Sequence, residues 1–235
     1  MVGYIEDTRH LQKLKQNGFN PKLVVDVGTS NGEFYNECRK VFTDAEYLLF
    51  EARKIEETTI EATIKDVEPK PTLFYDTLLS DWETEVVFHK MDAGSSVFEE
   101  NTRFPKIQEI KKTKRLDSIL MKLFQEKPEL HNPGAFLKID TQGSEIDILS
   151  GLTQLRPIFE VVQLEVALLE YNKKAPTVAE VHQVMNSYGY QLYDFGPAFC
   201  RPDGAIFHMD WVFVAKRSKL VEKKLFWKAE EDYEG

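Results

Sequence analysis

Short apolar runs alternate with amphipathic segments along most of this chain. The apolar runs have the length and the β-branched content of strands, which predicts buried strands at 23–27, 47–50, 73–79, 135–139 and 159–166. Segments with helical spacing of apolar residues follow several of these runs and predict helices at about 33–42, 52–67, 116–124 and 143–152. Strands and helices that alternate in this way predict an α/β fold with a doubly wound, mostly parallel sheet.

Both ends of the chain depart from this alternation. Residues 4–17 have the spacing of an amphipathic helix that ends before Gly18. Near the other end, a helix begins with a Thr177–Glu180 capping box, and the segments 190–195 and 211–215 then predict an antiparallel hairpin. The complete prediction is a Rossmann-like sheet of about seven strands with an antiparallel strand at its C-terminal end.

The middle of the chain fits the alternation less well. Residues 85–91 predict a strand outside the simple pattern, and residues 107–116 predict another. Between them, residues 92–106 are irregular, and a long irregular stretch inside a domain is usually functional or mobile. The helix that follows has Asp117 where a capping residue is expected.

The length of 235 residues is enough for one domain with a substantial core. We therefore predict a single domain over residues 1–235, with the N-terminal helix inside 1–20. A charged tail at 217–235 carries apolar residues, Leu220 and Trp227 among them, at the spacing of a short docking helix.

The sequence LVVDVGTSNGEF at Leu23–Phe34 joins the first predicted strand to its helix. Gly28 allows a tight turn, and Gly32 allows a helix or a ligand to approach closely, because neither has a Cβ. Many α/β proteins hold a nucleotide-like ligand with a strand, a glycine turn and a helix. Asp26 would repel a diphosphate but suits a cationic or zwitterionic cofactor. The alternative is a strand, turn and helix without a ligand.

Polar side chains also follow the next two strands. Glu51 ends the second strand, about 20 residues after the glycine turn, where an acidic residue binds a ribose diol. The alternative is an exposed glutamate at a strand end. Ser80 and Asp81 follow the third strand and would contact the far end of the same ligand.

The second conspicuous motif is FLKIDTQGSEIDILSGL, which starts at Phe136. Lys138 and Asp140 lie two positions apart and therefore share one face of a strand, and Glu145 opens the next helix. The alternative for this pair is a capping aspartate beside a lysine that extends to solvent. Glu165 lies in an apolar strand, where a carboxylate must be paired, hydrogen-bonded or close to a ligand.

Composition narrows the classes of function. The net charge of −9 argues against a nucleic-acid partner that is bound through its phosphates. The cysteines, Cys38 and Cys200, have no zinc-type spacing with histidines, and we predict no metal site. No segment has the character of a signal peptide or the roughly 20 apolar residues of a membrane span, so the expected location is cytoplasmic.

With these motifs the chain resembles the FkbM-type S-adenosylmethionine-dependent methyltransferases of the class I fold. The resemblance covers about residues 20–216 and rests mainly on DVGTSNGEF at Asp26–Phe34 and FLKIDTQGSEIDILSG at Phe136–Gly151. Shorter matches are FEA at 50–52, LLSD at 78–81, GSSVFEE at 94–100 and RLDSIL at 115–120. The chain departs from the family at Gln142, where a glutamate is common.

The resemblance implies a binding site for S-adenosylmethionine, with S-adenosylhomocysteine as the product. It places Asp26 and the glycine turn at the methionine end, Glu51 at the ribose and Asp140 beside the sulfonium methyl. Ser80 and Asp81 would approach the adenine. The implied cofactor-binding residues are Asp26, Gly28, Thr29, Ser30, Asn31, Gly32, Phe34, Glu51, Ala52, Ser80, Asp81 and Asp140.

An alcohol acceptor also requires a base for its proton. The candidate catalytic residues are Asp140, Lys138, Glu165, Glu145 and His208. Among them, Lys138 would orient the acceptor or tune Asp140 through its charge, and an ordinary surface or core histidine is the alternative for His208. The segments 92–106 and 196–209 are expected to determine which acceptor is used.

The resemblance implies O-methylation, and on that basis the predicted function is methylation of a sugar hydroxyl on a nucleotide sugar or a polysaccharide precursor. The predicted partner is this small-molecule or glycan acceptor. The sequence leaves open whether the protein also forms a homo-oligomer. One alternative is a NAD-dependent oxidoreductase, which requires a tighter glycine pattern than the one at Gly28–Gly32. Another is a non-catalytic protein that binds the cofactor.

Overall fold

Two β-sheets are present in the computed structural model, which describes residues 3–5, 8–54, 58–64, 73–91 and 94–222. The larger sheet contains β1 (Gly3–Ile5), β2 (Leu23–Val27), β3 (Glu46–Glu51), β4 (Leu73–Asp76), β8 (Ala135–Ile139), β9 (Phe159–Ala167), β10 (Tyr190–Cys200) and β11 (Ile206–Ala215). The smaller sheet contains β5 (Leu78–Leu79), β6 (Glu85–Lys90) and β7 (Ile107–Lys114).

The strand order of the larger sheet is β1-β10-β11-β9-β8-β2-β3-β4. The strands from β9 to β4 are parallel, whereas β11 runs antiparallel to both β9 and β10. The seven strands from β10 to β4 are therefore the predicted sheet with its antiparallel C-terminal strand, and the predicted fold class is confirmed.

Helices cover both faces of this sheet, as a doubly wound fold requires. One face carries α1 (Arg9–Gln16), α2 (Glu33–Val41), α3 (Ile60–Ile64) and α7 (Lys219–Glu222). The other carries α4 (Leu116–Glu126), α5 (Glu145–Gly151) and α6 (Val178–Ser187). The capping box predicted for α6 is present, with the Thr177 hydroxyl accepting from the Glu180 backbone N–H.

A row of polar side chains crosses the face of the sheet that α1 and α2 cover. Asp26 on β2 is in register with Lys138 on β8, and Lys138 is in register with Gln163 on β9. Gln163 Nε2 donates to Asp210 Oδ2 on β11 at 2.6 Å. Because side chains alternate between the two faces of a strand, these polar groups share one face with apolar residues such as Val24.

The N-terminal segment differs from its prediction. The helix predicted over 4–17 begins only at Arg9, and β1 instead pairs with β10 as an eighth strand. β1 has only three residues and pairs with β10 through its backbone. A segment this short shows no periodic pattern of apolar side chains from which a strand could be predicted.

The predicted strand 73–79 divides into two strands that belong to different sheets. Thr77 N donates to Glu51 O at the division, and β5 then pairs with β7. The predicted strands at 85–91 and 107–116 are present as β6 and β7, and they pair antiparallel with each other in the smaller sheet.

The predicted loop at 196–209 is wrong for most of its length. β10 continues to Cys200 and β11 begins at Ile206, so only a short turn separates them. The pairing shifts register between Phe195 and Ala198, which identifies a β-bulge at Gly196-Pro197. A glycine and a proline inside a strand usually mark such a bulge, but from sequence they also predict a loop.

The predicted capping role of Asp117 is also wrong. Arg115 is the residue that precedes α4, and no side chain caps this helix. Asp117 instead accepts hydrogen bonds from the backbone N–H groups of Thr153, Gln154 and Leu155. Its carboxylate therefore fixes the turn that follows α5.

Several sequence predictions lie partly outside the described residues. Of the helix predicted at 52–67, α3 is the described part, and of the docking helix in the tail only the segment with Leu220 is described. None of the helices in the described part of the chain has both the length and the apolar character needed to cross a bilayer.

Candidate active site

A cavity of about 950 Å³ opens at the carboxyl edge of the larger sheet. Its wall includes eleven of the residues predicted from the sequence, namely Gly28, Thr29, Ser30, Asn31, Phe34, Glu51, Ala52, Lys138, Asp140, Glu165 and His208. The predicted residues Asp26, Gly32, Ser80, Asp81 and Glu145 are outside this wall. Residues in or just after four of the five parallel strands, β2, β3, β8 and β9, therefore meet in one place.

The glycine turn after β2 is fixed by two backbone contacts. The N–H groups of Gly28 and Thr29 both donate to Phe50 O on β3. Gly28 has φ +75°, and a Cβ placed on it would lie 1.8 Å from the backbone oxygen of Asp140. Asp140 N in turn donates to Val27 O. Only glycine fits at position 28, because the loop after β8 occupies the space of a side chain.

Asp26 lies below the cavity rather than in its wall. Thr29 Oγ1 donates to Asp26 Oδ2 at 2.7 Å, while Lys138 Nζ is 3.8 Å from Oδ1. Oδ1 has no hydrogen-bond partner among the described residues. Burial raises the pKa of Asp26 to about 6, although Lys138 and Thr29 oppose this effect. Asp26 thus supports the turn through Thr29.

Glu51 is held by a residue that the sequence analysis missed. Arg53 donates its backbone N–H and Nε to Glu51 Oε1 at 2.9 and 3.2 Å. Ser30 N donates to Glu51 Oε2 at 2.8 Å, and Arg53 Nη2 donates to Ser30 Oγ. Arg53 and Glu51 are both buried in the cavity wall. The signal in the sequence was a cation two positions after the acid that ends a strand.

Ser80 and Asp81 do not line the cavity. Ser80 N donates to Lys114 O on β7, and its carbonyl oxygen packs closely against Gly151. The residues that line the cavity at this point are Thr77, Leu78 and Leu79. The displacement follows from the division of the predicted strand at Thr77.

Lys138, which is buried, and Asp140, which is partly exposed, form an ion pair. Lys138 Nζ lies 3.0 Å from Asp140 Oδ2. Burial alone would lower the pKa of Lys138, but the carboxylates of Asp140, Asp26 and Asp210 raise it above its usual range. Burial opposes ionisation of Asp140, but Lys138 holds the pKa of Asp140 below its ordinary value. Both groups therefore remain charged at neutral pH.

Glu145 serves the turn before α5. Its Oε1 accepts from the backbone N–H groups of Thr141 and Gly143 at 2.8 and 3.1 Å, and from Thr141 Oγ1. Burial raises the pKa of Glu145 to about 7, against these hydrogen bonds. Because it is outside the cavity wall, Glu145 has no direct access to a substrate there.

Glu165 and His208 form a close pair inside the cavity. His208 Nδ1 lies 2.6 Å from Glu165 Oε1, and the imidazole stacks on Phe199 with 4.9 Å between ring centroids. The other carboxylate oxygen, Oε2, accepts from Gln142 Nε2 at 2.6 Å and from Tyr171 OH at 3.3 Å. Burial raises the pKa of Glu165 and lowers the pKa of His208.

Several members of this polar network were missed from the sequence. Gln142 was noticed only as a departure from a family pattern, and Tyr171 carried no signal. Gln163 and Asp210 are polar positions within strands, which is the same signal that identified Glu165. His10 on α1 completes this group, with its Nε2 3.0 Å from Gln163 Oε1.

Two segments, 92–106 and 196–209, were predicted to determine which acceptor is used. Residues of both segments belong to the cavity wall. Ser95, Glu100 and Phe104 come from the first, and Phe199 and Phe207 come from the second. The second segment contributes strand residues rather than a loop. In the described ranges, no group of three His, Cys, Asp or Glu side chains is arranged to hold a metal ion.

Residues 26–192 match the protein family described as the Methyltransferase FkbM domain. A comparison with curated proteins gives no match. Similar solved structures include the methyltransferase FkbM from Methylobacillus flagellatus KT, with 14% identity and a TM-score of 0.47. That similarity covers 81% of this chain and 43% of that chain, so this chain spans less than half the length of that structure.

Two further similar structures are methyltransferases with other acceptors in their names. Magnesium protoporphyrin IX methyltransferase from Synechocystis PCC 6803, with bound SAM, has 9% identity and a TM-score of 0.46 over 88% of this chain and 79% of that chain. The 1,6-didemethyltoxoflavin-N1-methyltransferase from Burkholderia thailandensis has 8% identity and a TM-score of 0.46 over 88% of this chain and 77% of that chain.

Proposed function

This chain belongs to the FkbM methyltransferase family, and on that premise we propose that it methylates a hydroxyl group of a sugar. The acceptor would be a nucleotide sugar or a precursor of a polysaccharide. Membership of the family supports S-adenosylmethionine-dependent methyl transfer and argues against the oxidoreductase alternative. The observation that carries the proposal is one cavity with the glycine turn and the His208–Glu165 pair in its wall.

The chemistry of the cavity wall fits S-adenosylmethionine, which carries a positive sulfonium. Lys138 and Arg53 each lie within 3.2 Å of a carboxylate, so their charges are compensated. Beyond these two pairs the wall also contains acidic side chains, Glu33, Glu37 and Glu100 among them, and no further lysine or arginine from the described residues, so it favours a cation. A volume of about 950 Å³ is at the upper end of the range for ligand pockets and leaves room for a second substrate.

We propose that the turn 28–31, Glu51 and Asp140 hold the cofactor, with Ala52 and Phe34 completing this side. Asp26 would act from below by fixing Thr29. Thr77–Leu79 would take the place predicted for Ser80 and Asp81, because they line the cavity where the predicted pair does not.

His208 is the base that we propose. Its Nδ1 lies next to Glu165, and no hydrogen bond to its Nε2 is formed by any described residue. Lys138 stays protonated and cannot accept a proton, while the lowered pKa of Asp140 makes that carboxylate a weak base. When bound, the cofactor would supply an electrophilic methyl group for the acceptor oxygen, and His208 Nε2 would take the proton that the acceptor hydroxyl gives up.

Four aromatic side chains support a ring-shaped acceptor. Tyr171, Phe199 and Phe207 line the cavity around His208, and Phe104 and polar groups such as Glu100 also belong to the wall. Apolar walls with a few placed polar groups are the usual form of a small-molecule site. A cytoplasmic location is part of the proposal, and the free thiols of Cys38 and Cys200 agree with it.

Calorimetry and a transfer screen test this function. We expect S-adenosylhomocysteine to bind and NAD not to bind, and labelled methyl groups to pass to at least one member of a panel of nucleotide sugars and glycans. Binding of NAD without S-adenosylhomocysteine would contradict the proposal. Tight cofactor binding without transfer to any sugar would favour the non-catalytic alternative.

The role of His208 has its own test. We expect His208→Gln to lower methyl transfer by about 10²–10⁴-fold, the usual contribution of a general base, with little change in S-adenosylhomocysteine affinity. His182→Gln, on the exposed face of α6, is the matched control and should transfer at the wild-type rate. Full activity of His208→Gln would remove this residue from the mechanism.

A further inference from the structure

We propose that Gln142 is a positioning residue that keeps Glu165 ionised, so that His208 presents the lone pair of Nε2 to the acceptor. This inference rests on the proposed role of His208 as the base. It adds that the protonation pattern of the imidazole is determined by an amide that has no contact with it in the described structure.

The backbone of Gln142 is fixed independently of its side chain. Its φ is +57°, which is unusual for a residue other than glycine. Its carbonyl oxygen accepts from Ser96 Oγ at 2.8 Å and from Asn172 Nδ2 at 2.7 Å. A substitution at position 142 would leave both of these bonds in place, so it tests the side chain alone.

The side-chain amide of Gln142 uses its hydrogen-bonding capacity in three directions. Nε2 donates to Glu165 Oε2 at 2.6 Å and to Asp140 Oδ1 at 3.3 Å. Oε1 accepts from Tyr171 OH at 3.1 Å. A carboxamide can bridge two carboxylates in this way, whereas a carboxylate at the same position has no hydrogen to donate.

The bond to Gln142 counteracts a strong tendency of Glu165 to take up a proton. Burial raises the pKa of Glu165, and the carboxylates of Asp140, Glu145 and Asp210 raise it further, with Lys138 as the opposing charge. Hydrogen bonds donated to a carboxylate favour its ionised form. Gln142 donates to Oε2 at 2.6 Å, whereas the one hydroxyl hydrogen of Tyr171 is shared between Gln142 Oε1 at 3.1 Å and Glu165 Oε2 at 3.3 Å and gives a weaker bond.

The ionisation state of Glu165 determines which nitrogen of His208 carries the hydrogen. An ionised Glu165 accepts a hydrogen from Nδ1, which leaves a lone pair on Nε2. A protonated Glu165 would instead donate to Nδ1, and the neutral ring would then carry its hydrogen on Nε2. In that tautomer Nε2 cannot accept the proton of the acceptor.

Other groups around His208 determine whether its imidazole is neutral or protonated. Asp140 and Asp210 raise the pKa of His208, but burial outweighs them and lowers it. The rings of Phe199, Phe207 and Tyr171 surround the imidazole. The ring is therefore neutral over most of the range in which the enzyme is expected to work, and its tautomer is the property that matters.

Nitrogen NMR on protein with labelled histidine, in the presence of S-adenosylhomocysteine, measures this tautomer directly. His208→Gln identifies the signals by their absence. We expect Nδ1–H in the wild type and Nε2–H in Gln142→Leu at the same neutral pH. Tyr171→Phe, which removes the weaker bond, should move the population in the same direction but less. Gln125→Leu, on the exposed face of α4, is the control and should match the wild type.

Activity provides the second measurement. We expect Gln142→Leu to lower methyl transfer at neutral pH at least about 10-fold and to move the rising limb of its pH profile upward by about one to two pH units, the equivalent of one hydrogen bond to a charged group. A residue with only a structural role would lower activity equally at every pH.

Two results would overturn the inference, namely Nε2–H in the wild type or Nδ1–H retained in Gln142→Leu. If Gln142→Leu does not fold, Gln142→Met keeps the length of the side chain and removes the donor, and the same tautomer change is expected. The tautomer is measured without an acceptor. A wild type with Nδ1–H that transfers no methyl group would therefore contradict the proposed function and leave the inference standing.

Discussion

Replacing Asp26 by asparagine should change how the stability of the protein depends on pH. The carboxylate of Asp26 is fully buried, with a hydrogen bond from Thr29 to one oxygen and no hydrogen-bond partner for the other among the described residues. Burial raises its pKa to about 6 from the ordinary 3.8. The folded state therefore binds a proton at Asp26 more tightly than the unfolded state does.

The size of the effect follows from this pKa difference. The protonated carboxyl contributes stability that is fully present below the unfolded pKa and is lost as the pH rises through about 6. The full contribution is about 3 kcal/mol, of which about 1.4 kcal/mol disappears between about pH 5 and about pH 7.5. Asparagine cannot ionise, so the Asp26→Asn variant lacks this loss.

Urea denaturation of both proteins across this range measures the prediction. The free energy of unfolding of Asp26→Asn, taken relative to the wild type, should rise by about 1.4 kcal/mol from about pH 5 to about pH 7.5. Any cost of placing the amide N–H near Lys138 is independent of pH and cancels in this difference. Asp44→Asn, at an exposed position, should run parallel to the wild type. Parallel curves for Asp26→Asn would refute the argument.

Three further substitutions have outcomes fixed by contacts. Gly28→Ala should lower the free energy of unfolding by about 3 kcal/mol or more, because its Cβ would lie 1.8 Å from Asp140 O. Gly189 has φ +84° and no atom within 4 Å of a Cβ built on it, so Gly189→Ala should cost only about 1 kcal/mol of backbone strain. Equal losses in the two variants would contradict the predicted clash at position 28. Asp117→Ala should cost about 2–4 kcal/mol by leaving three backbone N–H groups without an acceptor, whereas Asp203→Ala at an exposed turn should be near neutral in the same denaturation assay. Glu51→Gln should weaken S-adenosylhomocysteine binding by about 10-fold or more in calorimetry, and an unchanged affinity would remove Glu51 from the cofactor site.

The parallel part of the sheet could be predicted because its strands are buried on both faces. β2 and β8 appear in the sequence as apolar runs with one polar residue each, and their observed bounds equal the predicted ones. The glycine turn was equally visible, since a backbone with φ > 0 and no room for a Cβ requires glycine at position 28.

The acceptor side of the cavity was harder to predict because it depends on pairings between distant segments. The bulge at Gly196-Pro197 has the composition of a loop but continues a strand, because β1 and β11 supply partners on either side. Tyr171 and Gln142 are 29 positions apart in the chain and meet only after folding. A single sequence has no local pattern that reveals such a contact.

Asp117 shows a third limit. Its position in the sequence fits a helix cap, but its carboxylate has better partners in the N–H groups that follow α5. Local propensity and tertiary hydrogen bonding compete for the same side chain, and in this case the tertiary partners prevail.

The contact between Gly28 and the backbone of Asp140 means that the loops after β2 and β8 must keep their relative position. Val27 O accepts from Asp140 N, and the oxygen of Asp140 fills the space beside Gly28, so the two loops are joined backbone to backbone. An insertion in either loop would separate both contacts at once. Natural variation in this family should therefore change the lengths of these two loops together or leave both unchanged, while the segments that face the acceptor vary without this constraint.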